Sequence, residues 1–226
     1  MSAAKILITG MSNAGKTTLL KTLQNCLVIS RDGKPFSLPL PHVNIPDYEN
    51  MDDVLAIITE KLEVYKKKTG EYPDTIVFDS ASRIFTDVET YCLRKYSGYD
   101  VWSNVNKEMT KLLDAIRQLQ DSNNGWNKAF NIVIIAHIVW DAEAKRYIET
   151  CKGSFAKIGG FLSTVDYAIN IDLVGKKRIV THHGNNLSRT LIEGMPEKEE
   201  ADNFNLQEYL DKVRIQISKV TEQWSI

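Results

Sequence analysis

Two spacings of apolar residues divide this chain. The first is the short unbroken run: Ile6-Leu7-Ile8, Cys26-Leu27-Val28-Ile29, Ile76-Val77-Phe78 and Ile132-Val133-Ile134-Ile135-Ala136. Such runs, with no polar position between, mark strands covered on both faces, as in a parallel sheet. The second spacing returns every three or four positions. Val54, Leu55, Ile58, Leu62 and Tyr65 predict a helix over 52–68, ended by Lys66-Lys67-Lys68 and Gly70. The lysine run suits the negative end of that helix, so a solvated face is the simpler reading than a binding patch. Further helices are expected over 83–96, 105–119 and 204–224, with an aromatic-rich bend at Tyr96, Tyr99 and Trp102. The last helix carries Leu206, Leu210, Val213, Ile217 and Val220 on one stripe, the pattern of a face docked on a core.

Between these elements the punctuation is equally plain. Residues 35–42 hold three prolines and read as an extended connection. Strand character over 165–173 and again over 178–183, around Gly175-Lys176-Lys177, predicts a β-hairpin. Residues 141–164 show little periodicity, carry Gly159-Gly160 and several basic side chains, and are expected to be mobile and functional. Residues 197–202 read as an acidic, exposed linker. Strands alternating with helices give an α/β fold with a mostly parallel sheet. The expected organisation is a core over 1–192, with 193–226 forming a linker and a helix packed on that core.

The first strand runs into Gly10-Met11-Ser12-Asn13-Ala14-Gly15-Lys16-Thr17-Thr18, which contains G-x-x-x-x-G-K-T, the phosphate-binding P-loop pattern. Its position between an apolar strand and a helix start is the context this motif needs. Gly10 lets the chain leave the strand, and Gly15 lets the backbone approach a nucleotide closely. The loop amides then converge on the phosphates, aided by the positive end of the following helix. Lys16 would reach the β- and γ-phosphates and the Thr17 hydroxyl would ligate Mg²⁺, while Thr18 only continues the helix. The expected ligand is a nucleoside triphosphate. ATP is the default, since no guanine-reading motif is visible.

Thr75-Ile76-Val77-Phe78-Asp79-Ser80 is a buried strand delivering a carboxylate, the pattern that completes a Mg²⁺ shell in such folds. Asp79 could also cap the next helix, a role compatible with metal binding. The strand 131–137 ends in His137 at what should be the same sheet edge, where ligands of open α/β sheets sit. Two roles stay open for it: sensing the γ-phosphate, or a satisfied histidine at a strand end.

Composition narrows the class. A chain of 226 residues can bury one sizeable α/β core. A net charge of −1 gives no global attraction to nucleic acid, so any such binding must rest on local patches. Cys26, Cys92 and Cys151 are odd in number and lack metal-ligand spacing, which fits buried thiols in a reducing cytoplasm. The first strand begins almost at once, so no signal peptide is expected, and no apolar run is long enough to cross a membrane. His182 and His183 are neighbours in a strand, so they face opposite sides and cannot share a metal.

The order P-loop, strand with a following acidic residue, strand-Asp-Ser, strand-Ala-His, basic loop, hairpin resembles a RecA-type ATPase core. More closely, it resembles the small phage-encoded, RecA-like AAA-family ATPases, the Sak group of single-strand annealing proteins, over about residues 5–192. The resemblance implies a three-layer P-loop NTPase fold of RecA-like (ASCE) type with a C-terminal β-hairpin and helix. It implies ATP hydrolysis with Mg²⁺ held by Thr17 and Asp79, in DNA recombination or replication, within the host cytoplasm. Asp32 matches the position that activates the attacking water, where the family has glutamate; His137 matches the family's sensor glutamine. The DNA-contacting loop falls on Lys145, Arg146, Lys152 and Lys157. Partners implied are single-stranded DNA, a single-strand DNA-binding protein and further copies of the chain, with Arg178 or Arg189 reaching a neighbouring subunit's nucleotide. Two other classes stay open: a nucleoside or nucleotide kinase, although 141–164 offers only Arg146 where such enzymes carry an arginine-rich lid, and a slow ATP-dependent scaffold.

Overall fold

The computed structural model describes residues 3–31, 35–190 and 192–224, with side chains to 221. Nine strands among these residues form one sheet. They are β1 (Lys5–Gly10), β2 (Cys26–Ser30), β3 (His42–Asn44), β4 (Thr75–Asp79), β5 (Asn131–Asp141), β6 (Arg146–Glu149), β7 (Tyr167–Val174), β8 (Lys177–Thr181) and β9 (Lys198–Glu200). The order across the sheet is β3-β2-β4-β5-β1-β7-β8-β9, with β6 paired to the outer part of β5. β3 through β7 in that order run parallel; β8 and β9 turn antiparallel to close one edge. The helices are α1 (Lys16–Leu19), α2 (Met51–Thr69), α3 (Ala81–Lys95), α4 (Tyr99–Gln120), α5 (Gly153–Lys157) and α6 (Leu206–Trp224).

Side chains on successive strand positions face opposite sides, and this alternation builds two cores from one set of strands. Leu7, Ile29, Phe78, Ile132 and Ile134 pack under α2, α3 and α4, against Val54, Ile58, Phe85, Val88, Met109 and Leu112. Ile6, Ile8, Val28, Val77, Val133 and Ile135 face the other way, against Leu19, Leu20, Leu206, Tyr209, Leu210 and Val213. The result is three layers of helix, sheet and helix, the α/β P-loop arrangement. The α6 stripe docks through Leu206, Leu210 and Val213, all fully buried; Ile217 is partly covered and Val220 is exposed.

Local chemistry explains the element ends. Asn50 caps α2 by accepting from the Asp53 amide, Asp52 and Asp53 fill its first turn, and Gly70 closes it at φ 91°. Ser80 caps α3 by accepting from the Arg83 amide at 3.3 Å, so the cap role open to Asp79 belongs to its neighbour. The Asp79–Ser80 peptide is cis.

Four sequence expectations change. The helix after the P-loop has only four α residues and then a 3-10 turn over Leu20–Thr22, because Leu23 is extended and leads at once into β2. The aromatic bend shrinks to 96–98: Tyr99 and Trp102 lie in the first turn of α4. The stretch 141–164 is structured rather than irregular, holding β6, α5 and a second 3-10 turn. The largely buried Glu149 carboxylate ties that stretch together, accepting from the Phe161 and Leu162 amides at 2.8 and 2.7 Å. Burial holds its pKa above the usual carboxylate value against those two bonds. Lastly, 197–202 is no exposed linker. It supplies β9, whose backbone pairs with β8, and Ala201 is buried.

Candidate functional site

β1 and β4 end together at the carboxyl edge of the sheet, on either side of β5. β1 and β5 pair in register with Gly10 opposite His137, and β4 and β5 pair with Asp79 opposite Ile135. The loop 10–15 leaves β1 at that edge. Asn13 and Gly15 both take left-handed backbone, at φ 64° and 103°, and the Ala14 amide closes a turn onto the Met11 carbonyl at 3.2 Å. Such alternating backbone turns successive amides toward one concavity, a shape that suits an anion. With α1 so short, the loop amides rather than a long helix dipole define this cradle.

Both bracketing glycines have a steric reason. A Cβ on Gly10 would lie 2.5 Å from the Ile171 carbonyl oxygen of β7, which is backbone and cannot give way. On Gly15 it would meet Arg178 Cδ at 2.8 Å and Nε at 2.9 Å, besides requiring an L-residue at φ 103°.

A cavity of about 370 Å³ opens over the cradle, lined by Ser12, Asn13, Gly15, Lys16, Thr17, Thr18, Asp79, His137 and Arg178. Lys16 is buried, and its Nζ donates to the Gly10 and Met11 carbonyls at 2.8 Å each. The lysine is therefore held beside the loop rather than stretched into solvent. Thr17 Oγ1 donates to Asp79 Oδ2 at 2.8 Å, which brings a hydroxyl and a carboxylate from two separate motifs to one point. Two hard oxygen donors side by side fit Mg²⁺, which takes one or two protein ligands and completes its octahedron with phosphate and water. Among the described residues no cluster of three or more His, Cys, Asp or Glu could hold a metal alone, and the Thr17–Asp79 pair suits a cation that arrives with its nucleotide. The amide cradle and Lys16 likewise fit a polyphosphate.

His137 does not end its strand. β5 continues to Asp141 and folds back through β6, pairing Trp140 with Tyr147 and Asp141 with Arg146. The backbone of His137 is held on both sides: its amide donates to Ser82 Oγ at 2.8 Å, and its carbonyl accepts from the Thr150 amide at 3.1 Å. No motif or spacing in the chain points to the Ser82 contact, which joins the first turn of α3 to β5.

The remaining candidates spread more widely. Asp32 lies outside the described residues. Lys145 sits at the tip of the β5–β6 hairpin at φ 50°, with Arg146 beside it, both exposed. Lys152 pairs with Glu89 at 3.4 Å, and Lys157 is exposed on α5. Arg189 bridges Ala168 near the start of β7, remote from the P-loop edge, and its guanidinium meets the Val165 carbonyl at 3.4 Å. Arg178 is brought over Gly15 of its own chain. The three cysteines are free and buried. No helix among the described residues is long and apolar enough to cross a membrane.

Comparison with curated proteins finds no match to the chain. A family model described as AAA domain matches residues 2–183, a span that takes in β1, the cradle, Asp79, His137 and both strands of the β7–β8 hairpin. With that span covering most of its length, the chain belongs to the AAA domain family of P-loop ATPases.

Proposed function

We propose that this chain hydrolyses ATP with Mg²⁺ and couples the cycle to single-stranded DNA, in recombination or replication. The observation that carries the reading is the 2.8 Å contact of Thr17 with Asp79 beside the buried Lys16. Phosphoryl transfer to water needs positioning and charge neutralisation more than covalent chemistry. In this reading the loop amides and Lys16 bind and orient the triphosphate, and Thr17 and Asp79 hold the cation. His137, fixed through its backbone, sits where a γ-phosphate would be felt. Mg²⁺, when bound, supplies charge neutralisation across the phosphates. Asp32 keeps the water-activating role that the family resemblance gives it.

Support for the DNA side comes from the β5–β6 hairpin. Trp140 is 55 % exposed and rests edge-on against Tyr147, with ring centres 5.2 Å apart. Lys145 and Arg146 stand next to this pair. Aromatic faces interleaved with cations suit single strands, whose bases stack and whose phosphates seek positive charge. Copies of the chain and a single-strand DNA-binding protein are the proposed partners, in the cytoplasm.

ATP turnover by the full chain, measured with and without single-stranded DNA and with Lys16→Ala as the blank, tests this. The expected result is stimulation by DNA, DNA binding that weakens with salt, and a loss of DNA affinity in Trp140→Ala. Turnover indifferent to DNA but raised by a nucleoside would transfer the reading to a kinase. ATP binding without turnover would leave a scaffold.

A further inference from the structure

β7 is longer than the strand it pairs with. Its register places Thr9 opposite Asn170, so Asp172, Leu173 and Val174 project past Gly10, beyond the sheet edge from which the phosphate cradle rises. β8 then returns antiparallel, with Arg178 opposite Leu173. The overhang thus carries an arginine back over the loop, where its Cδ and Nε crowd the face of Gly15. Arg178 lines the same cavity as Lys16 and Asp79.

From this juxtaposition we propose that Arg178 contacts the phosphates of a nucleotide bound in its own chain, making the β7–β8 hairpin an intramolecular source of the site's second basic side chain. The inference rests on the nucleotide reading above and assigns to Arg178 a role within one subunit rather than between two. Charge placement around it agrees. The adjacent Lys177 is engaged by Glu200 of β9, whereas no ion pair among the described residues takes up Arg178. A guanidinium at the surface of a phosphate cradle can also give two parallel N–H bonds to phosphate oxygens, which an ammonium cannot. The side chain is exposed, so it can swing from Gly15 toward a ligand without disturbing the core.

Binding of fluorescent ATP, ADP and AMP analogues to wild type, Arg178→Ala, Arg178→Lys and Lys16→Ala tests the assignment. Arg178→Ala is expected to weaken ATP binding at least tenfold and AMP binding much less, with Arg178→Lys in between and the melting temperature kept. A subunit-mixing assay separates the two geometries. If Arg178 serves its own chain, mixing Arg178→Ala with Lys16→Ala regains no turnover beyond the sum of the parts. Recovery in the mixture, or wild-type ATP affinity in Arg178→Ala, overturns the proposal. Undiminished binding in Lys16→Ala would instead sink the nucleotide reading itself, and this inference with it.

Discussion

Replacing Gly15 with alanine separates backbone strain from side-chain crowding in the cradle. The residue sits in left-handed backbone at φ 103° and ψ 18°, a conformation that L side chains rarely adopt. Holding alanine there costs about 1–2 kcal/mol. The new Cβ also meets Arg178 at 2.8 and 2.9 Å, but those atoms belong to the outer half of an exposed chain. Rotation of that chain relieves the contact, so it adds little to the cost. For a chain of this size about 1–2 kcal/mol corresponds to a fall in melting temperature of roughly 2–8 °C. Nucleotide affinity should drop by more than this strain alone implies, because the methyl group blocks close approach of phosphate and displaces Arg178 together. Calorimetric melting and ATP-analogue binding of Gly15→Ala, Arg178→Ala and the double variant check both parts. The melts should be additive, since Arg178 yields freely, whereas the binding losses should be less than additive, since each change removes the same contact. A double variant that melts like wild type would show that crowding, not the backbone, sets the stability cost.

Asp79→Asn should keep the fold and the hydrogen bond from Thr17, since the amide oxygen replaces one carboxylate oxygen, yet lose Mg²⁺-dependent hydrolysis. A wild-type rate at every Mg²⁺ concentration would remove Asp79 from the metal site. His182 gives a pH prediction. It is fully buried, packs against Phe204 and Tyr209, and lies 2.7 Å from Glu199. Desolvation pulls its pKa below the ordinary 6.5, helped by His183 and Lys212 and opposed by Glu199. The folded state therefore binds this proton less readily than the unfolded chain. Its share of stability is complete above 6.5 and is lost as the pH falls from there toward the lowered value. Melting temperatures across that range should decline more steeply for wild type than for His182→Gln; equal slopes would refute the assignment.

The parallel centre of the sheet was legible because its strands are uninterrupted apolar runs. β2 and β4 fall on the residues that the pattern picks out. The edge strands were not. His42-Val43-Asn44 and Lys198-Glu199-Glu200 bury little, and what defines them is backbone pairing to β2 and β8, which leaves no mark on side-chain pattern. Charged residues on such edges also discourage pairing with other chains, and that made β9 resemble a linker. The cradle and Asp79 could be read from contiguous motifs, each complete within a few residues. Ser82 beneath His137 and Arg178 above Gly15 could not, since both depend on how far one element runs past another. The β5–β6 hairpin was missed for a related reason. The apolar run is broken at His137, and past Ile138 both faces cease to be covered, although the strand continues to Asp141.

That continuity has a mechanical consequence. β5 runs as one strand from the middle of the protein to the hairpin, and the four steps from His137 to Asp141 span roughly 13 Å. The strand lies between β4 and β1 as far as Ile135 and His137 and is paired with β6 alone beyond them, and such extended backbone resists stretching along its axis. Whatever grips Trp140 pulls on the same backbone that fixes His137, so a load applied outside reaches the phosphate end as tension, with no intervening joint to absorb it.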